Sequence, residues 1–176
     1  ISSLLNYWAM LRVWRIVRSQ EDSGMAVFAQ DHIGFQIQVN GIYEREELRL
    51  LGQLLDRMAP GVILDVGANI GNHTRRLADH ATHVVAVEAH PHIFELLRVN
   101  TANLRNVSIY NVGASSRSGF ATLRTKAANW GASTLDSSAD SSAPTREQRL
   151  RIPVSTLDSL LDLESSEVRL VKLDVE

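Results

Sequence analysis

The sequence predicts an α/β domain: a mostly parallel sheet with helices on both faces. Three observations carry that prediction. Between residues 62 and 112, short apolar runs alternate with segments of helical period. Glycine-containing loops follow the first and third of those runs. The final run, residues 168–175, is again apolar, with charges at alternate positions near its end. An N-terminal helix and short strands are expected to precede this sheet. The domain is expected to be C-terminally incomplete, cut after its fourth core strand.

Residues 1–19 predict an amphipathic helix with Leu4, Leu5, Trp8, Leu11 and Trp14 toward one side. Arg12, Arg15 and Arg18 add a basic stripe. Packing on the domain is the plain expectation for this helix, and peripheral membrane contact is the alternative. Residues 25–29 and 35–39 read as short strands around a turn at 31–34. Residues 44–58 read as a helix with Leu48, Leu51, Leu54 and Leu55 inward, ended by Pro60 and Gly61. Residues 1–58 are thus expected to form an extension packing on a core of residues 59–176.

In the core, the order is strand 62–66, helix 72–80, strand 84–87, helix 91–103 and strand 107–112. Pro91 suits the first turn of its helix. Parallel neighbours need long crossovers, and right-handed crossovers place the first strand centrally with the next two stepping outward on one side. Residues 120–124 and 150–154 read as further strands, and 136–144 as a small, polar loop. Residues 157–163 read as a short helix capped by Ser155 or Thr156.

Bulk properties exclude several classes. A chain of 176 residues is long enough for one core. With no cysteine there is no disulfide framework and no thiolate metal site, which fits a reducing, cytoplasmic compartment. A net charge of −2 provides no general attraction to nucleic acid, so no nucleic-acid partner is expected. No apolar run reaches the roughly 18 residues of a membrane span. His80, His83, His90 and His92 form no pair at helical spacing, so no metal site is expected. The chain starts at Ile1 and ends within an apolar run, so it reads as a fragment. Nothing in it signals an oligomeric state.

The chemistry begins in the first βα loop. Gly67 and Gly71 permit a sharp bend and a close approach, and the helix starting at Asn72 offers free N–H groups. A dinucleotide loop wants GxGxxG, but here Asn69 stands at the third position and the spacing is GxxxG. Asp65, two residues before Gly67, would repel a pyrophosphate and attract an ammonium group. That balance favours S-adenosylmethionine over NAD. Ala68 lies within the loop, and Thr74 is a further contact candidate; Asn72 is equally a helix cap.

Glu88 ends the second strand, where an acid accepts hydrogen bonds from ribose hydroxyls. Ala89 and His90 follow it as lining of the adenosine pocket. Asn111, Val112 and Gly113, at the end of the third strand, fall where an adenine would lie. Lys172, Asp174 and Glu176 alternate on one face of the last strand, at the carboxyl end that opens into a ligand crevice. They are the catalytic candidates, with Asp174 the best-placed general base and Lys172 an ion-pair partner of Asp174 or Glu176. Asn129 and Trp130 read as loop residues beside Gly131, with an aromatic packed under the loop as the plain expectation and a substrate-facing role as the alternative that the family resemblance below implies.

The ordered set DVGANIGNHT (65–74), VVAVEAHP (84–91), NVGASSRSG (111–119), NWGAS (129–133), VSTLDSLL (154–161) and LVKLDVE (170–176) resembles FkbM-type methyltransferases. The segment Gly41 to Glu44 resembles the entry to that family, so the likeness runs over about residues 41–176. Asp65, Gly67, Asn69, Gly71, Glu88 and Asp174 match its motif positions. The resemblance implies a Rossmann-like class I methyltransferase fold, S-adenosyl-L-methionine as methyl donor and O-methylation of a hydroxyl on a sugar, glycan, lipid or natural-product small molecule. It also implies further strands and helices after LVKLDVE. Two alternatives stand beside it: an NAD(P)-dependent oxidoreductase on a similar sheet, and a non-catalytic truncated binding module.

Overall fold

The computed structural model describes residues 14–17, 24–28, 31–126, 129–136, 147–160 and 167–175. The chain divides into two compact units, Ile1–Glu44 and Arg45–Glu176.

In the first unit, β1 (Trp14–Val17) pairs antiparallel with β2 (Met25–Phe28). Residues 14–17 therefore depart from the helix expected over 1–19. The β-branched pair Ile16 and Val17 suits a ladder, and β2 supplies its partners. The rest of that expected helix, with its proposed membrane contact, lies outside the described residues. A second correction concerns residues 35–39, which belong to helix α1 (His32–Asn40), not to a strand. Asp31 starts α1 by accepting the Gly34 N–H at 3.2 Å, and Gly41 ends it in the left-handed region at φ 78°. The alternation Phe-Gln-Ile-Gln-Val misleads because only Ile37 of its apolar residues is buried; Phe35 and Val39 are exposed.

The second unit opens with α2 (Arg45–Leu55), where Leu48 and Leu55 are buried and Leu54, expected inward, is exposed. Then follow β3 (Val62–Val66), α3 (Asn72–Ala78), β4 (His83–Val87), α4 (Pro91–Thr101) and β5 (Val107–Tyr110). β10 (Val168–Leu173) closes the described chain. These four strands form one parallel sheet in the order β10-β3-β4-β5. The chain steps outward from β3 to β5 as right-handed crossovers dictate. It then returns to the other side of β3, so the winding reverses between β3 and β10.

The pleat sorts the core into two faces. Ile63 and Val84 pack with Leu55 of α2 and with Leu77 and Ala78 of α3. On the same face, Ala86 packs with Ala68 and with Leu97 of α4. Val62, Leu64, Val66, Val85 and Val87 point the other way, onto Val112, Ala114, Leu157 and Leu160. Leu160 ends a 3-10 turn (Asp158–Leu160) in place of the longer helix expected over 157–163. Thr156 caps that turn through the Ser159 N–H; residues 161–163 lie outside the described residues.

A second sheet has the order β6-β9-β7-β8, from β6 (Gly113–Ala114), β7 (Gly119–Lys126), β8 (Asn129–Asp136) and β9 (Glu147–Ser155). β7 and β9 contain the two further strands expected from the sequence. β8 is a correction, because Asn129 and Trp130 lie on a strand and not on a loop. Its antiparallel partner β7 stabilises it, with Leu123 opposite Leu135 and Lys126 opposite Asn129. Beyond Asp136, the expected 136–144 loop lies outside the described residues. Leu123, Ile152 and Val154 pack this second sheet against Ala89, just past the end of β4. Among the described residues, no helix is long and apolar enough to cross a membrane.

Candidate active site

In a doubly wound sheet, the carboxyl ends of the strands diverge where the winding reverses and leave a crevice there. Here that place is the joint between β3 and β10. The loop after β3 runs through three left-handed residues: Gly67 at φ 79°, Asn69 at φ 51° and Gly71 at φ 90°. Asn69 tolerates this conformation, and its side chain accepts the Ile70 N–H at 2.8 Å. Gly67 is required by the chain itself, since a Cβ there would strike the Asp174 carbonyl. At Gly71 a Cβ would sit 2.9 Å from Leu97. The close approaches that both glycines permit are thus made by neighbouring protein.

Glu88 lies under the loop at the end of β4, almost wholly buried. One carboxylate oxygen accepts the Asn69 N–H at 2.9 Å and the other the His90 N–H at 2.7 Å. Burial pushes its pKa above the ordinary value; the backbone N–H groups of His90, Asn69 and Ala89 oppose that rise, and the nearby Asp65 charge adds to it. Asn111 donates to the carbonyls of Glu88 and Ala89, at 2.8 and 3.3 Å, and so fixes the backbone that carries the acid. Val112 is a core residue, and Gly113 pairs with Val154 in the second sheet. Ala68 is buried with its N–H on the Val87 carbonyl.

His90 is buried and caps α4, its Nδ1 accepting the His92 N–H at 3.2 Å. Burial, aided by the His92 charge, lowers its pKa to about 4. The imidazole is therefore neutral at pH 7, with its proton on Nε2.

Asp65 lies on the α3 face of β3 and has no exposed side-chain surface. Thr74, itself fully buried, donates to Asp65 Oδ2 at 2.7 Å. Lys172 Nζ stands 3.1 Å from Oδ1, an ion pair lacking hydrogen-bond alignment. A longer contact of 3.4 Å joins Lys172 to Asp174, whose side chain is 73% exposed. The expected pairing of Lys172 with Asp174 is present as a hydrogen bond, and Lys172 also stands against Asp65. Asn72 is not the helix cap, because Gly71 takes that position and Asn72 is buried in the first turn. Glu176 lies outside the described residues.

The loop has supports that the sequence reading missed. Asn100 of α4 donates to the Ile70 carbonyl at 2.7 Å, and Arg75 of α3 donates to the Asn100 carbonyl at 2.7 Å. Their signal was present: Asn100 stands three and four residues from Leu97 and Leu96, on the buried face of its helix. A polar residue there needs a partner. Among the described residues, no three His, Cys, Asp or Glu side chains cluster to hold a metal.

A parallel sheet reversing its winding beside a glycine-bent loop, with a buried acid on the next strand, defines a Rossmann-like nucleotide-type domain. The model of the methyltransferase FkbM domain matches residues 65–176, and the chain belongs to that family. No curated protein matches the sequence significantly. Among solved structures, 23S rRNA methyltransferase ErmE is 24% identical with a TM-score of 0.36, over 40% of this chain and 29% of that one. A SAM-dependent methyltransferase from Thiobacillus denitrificans, solved with S-adenosyl-L-homocysteine, is 20% identical with a TM-score of 0.34, over 44% and 34%. Trm5b from Pyrococcus abyssi is 18% identical with a TM-score of 0.41, over 55% and 27%. The chain thus spans about a third or less of these proteins.

The donor set is chemically suited to S-adenosylmethionine. Each Glu88 oxygen takes one backbone N–H, which leaves acceptor capacity for a ribose hydroxyl. Asp174 adds an exposed carboxylate at the neighbouring strand end, suited to a cationic group.

Proposed function

We propose that residues 65–174 bind S-adenosylmethionine at the carboxyl edge of β3, β4 and β10. We further propose that the protein transfers its methyl group to a hydroxyl oxygen of a small-molecule or glycan acceptor. The observation that carries the reading is Glu88: a buried carboxylate clamped by the Asn69 and His90 N–H groups beneath the left-handed loop. S-adenosylmethionine supplies, when bound, an electrophilic methyl on a sulfonium. In this reading, Glu88 accepts ribose hydroxyls, and the Gly67–Gly71 turn bounds the amino-acid end. Ala89, His90 and the Asn111–Gly113 segment border the adenine. Asp174 serves as the acid facing the reacting centre, either taking the acceptor hydroxyl proton or holding a cationic group. Orientation of the two reactants is the main contribution asked of the protein.

Isothermal titration with S-adenosylhomocysteine and with NAD tests the donor: binding of the first and not of the second is expected, and the reverse sinks the reading. Transfer of labelled methyl from S-adenosylmethionine to hydroxylated small molecules or glycans tests the acceptor class. Label found in RNA instead would replace that part of the proposal.

A further inference from the structure

Asp65 has no solvent-exposed side-chain surface, yet it stands two residues from the turn where a cationic ligand is expected. Oδ2 accepts the Thr74 hydroxyl at 2.7 Å, and Oδ1, without a hydrogen bond of its own, faces the Lys172 ammonium at 3.1 Å. Asp65 and Lys172 are also direct register partners across the β3–β10 joint. Two residues further on, the Asp174 N–H bonds to the Val66 carbonyl at 3.0 Å, and the Asp174 carbonyl packs on Gly67. The ion pair therefore sits directly beneath the point where the winding reverses.

We infer that Asp65 and Lys172 form one charge-neutral clamp across that joint, and that Lys172, shared between buried Asp65 and exposed Asp174, is a positioning residue whose charge Asp65 draws from Asp174. This deepens the S-adenosylmethionine reading and rests on it. A buried carboxylate without a counter-charge is costly, so Asp65 has first claim on the ammonium. The hydrogen bond that Lys172 donates to Asp174 is long, 3.4 Å, and reaches a side chain that is largely in water, where ion pairs are weak. Asp174 thus shares Lys172 with Asp65 and keeps part of its charge for a ligand. Removing the charge of Asp65 leaves Asp174, on the same strand face, as the carboxylate that Lys172 touches. Asp174 is then neutralised, and a ligand ammonium loses its partner although Asp65 never touched it.

The test is the affinity of the whole chain for S-adenosylhomocysteine, measured by calorimetry on wild type, D65N and D65N/K172M. D65N leaves no buried charge unpaired and is expected to fold. Its affinity should fall on the order of tenfold, and the added K172M should bring it back to within about threefold of wild type. A direct contact between Asp65 and ligand predicts the opposite, with the double variant as weak as D65N. That result overturns the inference, as does unchanged affinity in D65N. A ligand-free arm uses melting midpoints. K172M alone strands the Asp65 charge, so its midpoint should drop by more than that of D65N/K172M; a larger drop in the double variant overturns the clamp. If wild type binds no S-adenosylhomocysteine, the donor assignment fails, and the melting arm still decides the clamp.

Discussion

Glu88 and His90 show how much a single residue contributes when its surroundings are fixed. Replacing Glu88 by Ala strips acceptors from two N–H groups, so Glu88→Ala should lower stability by about 2–4 kcal/mol in urea titration. Glu88→Gln keeps one carbonyl acceptor and should lose less. A Gln variant as unstable as Ala would mean that the charge, not the acceptor, holds the loop. His90 makes a pH prediction. With a folded pKa of about 4 against 6.5 in the open chain, the unfolded state takes up a proton first as pH falls. Stability from this residue is therefore complete above pH 6.5 and is lost between 6.5 and 4, on the order of 3 kcal/mol in all. Glu88, with its raised pKa, works in the opposite sense, so the difference between wild type and a variant isolates the histidine. His90→Asn keeps an acceptor for the His92 N–H and should flatten the acid dependence of the urea midpoint. An unchanged slope would remove His90 as its source.

At the scale of elements, the loop between β3 and α3 is set by what packs against it. A side chain at Gly67 meets a backbone carbonyl on β10's extension, which cannot move without disturbing the joint. Gly67→Ala should therefore destabilise by about 2–4 kcal/mol, combining left-handed strain with the clash. At Gly71 the obstacle is the tip of Leu97, which can shift, so Gly71→Ala should cost visibly less. Equal losses in thermal melts would show that backbone conformation alone governs both positions. Helix α1 and strand β8 mark the limits of local reading. α1 was hidden by a period-two pattern whose outer residues are exposed, and its caps, Asp31 and Gly41, proved the stronger signal. β8 was hidden because its strand state depends on antiparallel pairing with β7, and Asn129 to Asp136 by themselves lack the apolar alternation that marks a strand.

At the scale of the molecule, every described residue assigned to the candidate site lies in the unit Arg45–Glu176. A chain of residues 45–176 should therefore keep S-adenosylhomocysteine affinity within about threefold of the whole protein, given that compact units with their own core can fold alone. Folded protein without affinity would show that residues 1–44 contribute to binding.

The parallel sheet, the order of its first three strands, the glycine-bent loop and the acid at Glu88 were legible in the sequence by itself. Each depends on short-range rules: apolar runs, glycine spacing and the handedness of crossovers. Tertiary structure alone decided what those groups face. Asp65 read as an acid waiting for a ligand, but the register of β10 on β3 puts Lys172 beside it and Thr74 beneath it. Gly67 read as room for a ligand, but the room is taken by the Asp174 carbonyl. Lys172 and Asp174, at the end of β10 and just past it, are each more than a hundred residues away from the residue they meet. Pairing at that distance is fixed by packing of the whole sheet, which leaves no mark on the local sequence at either end.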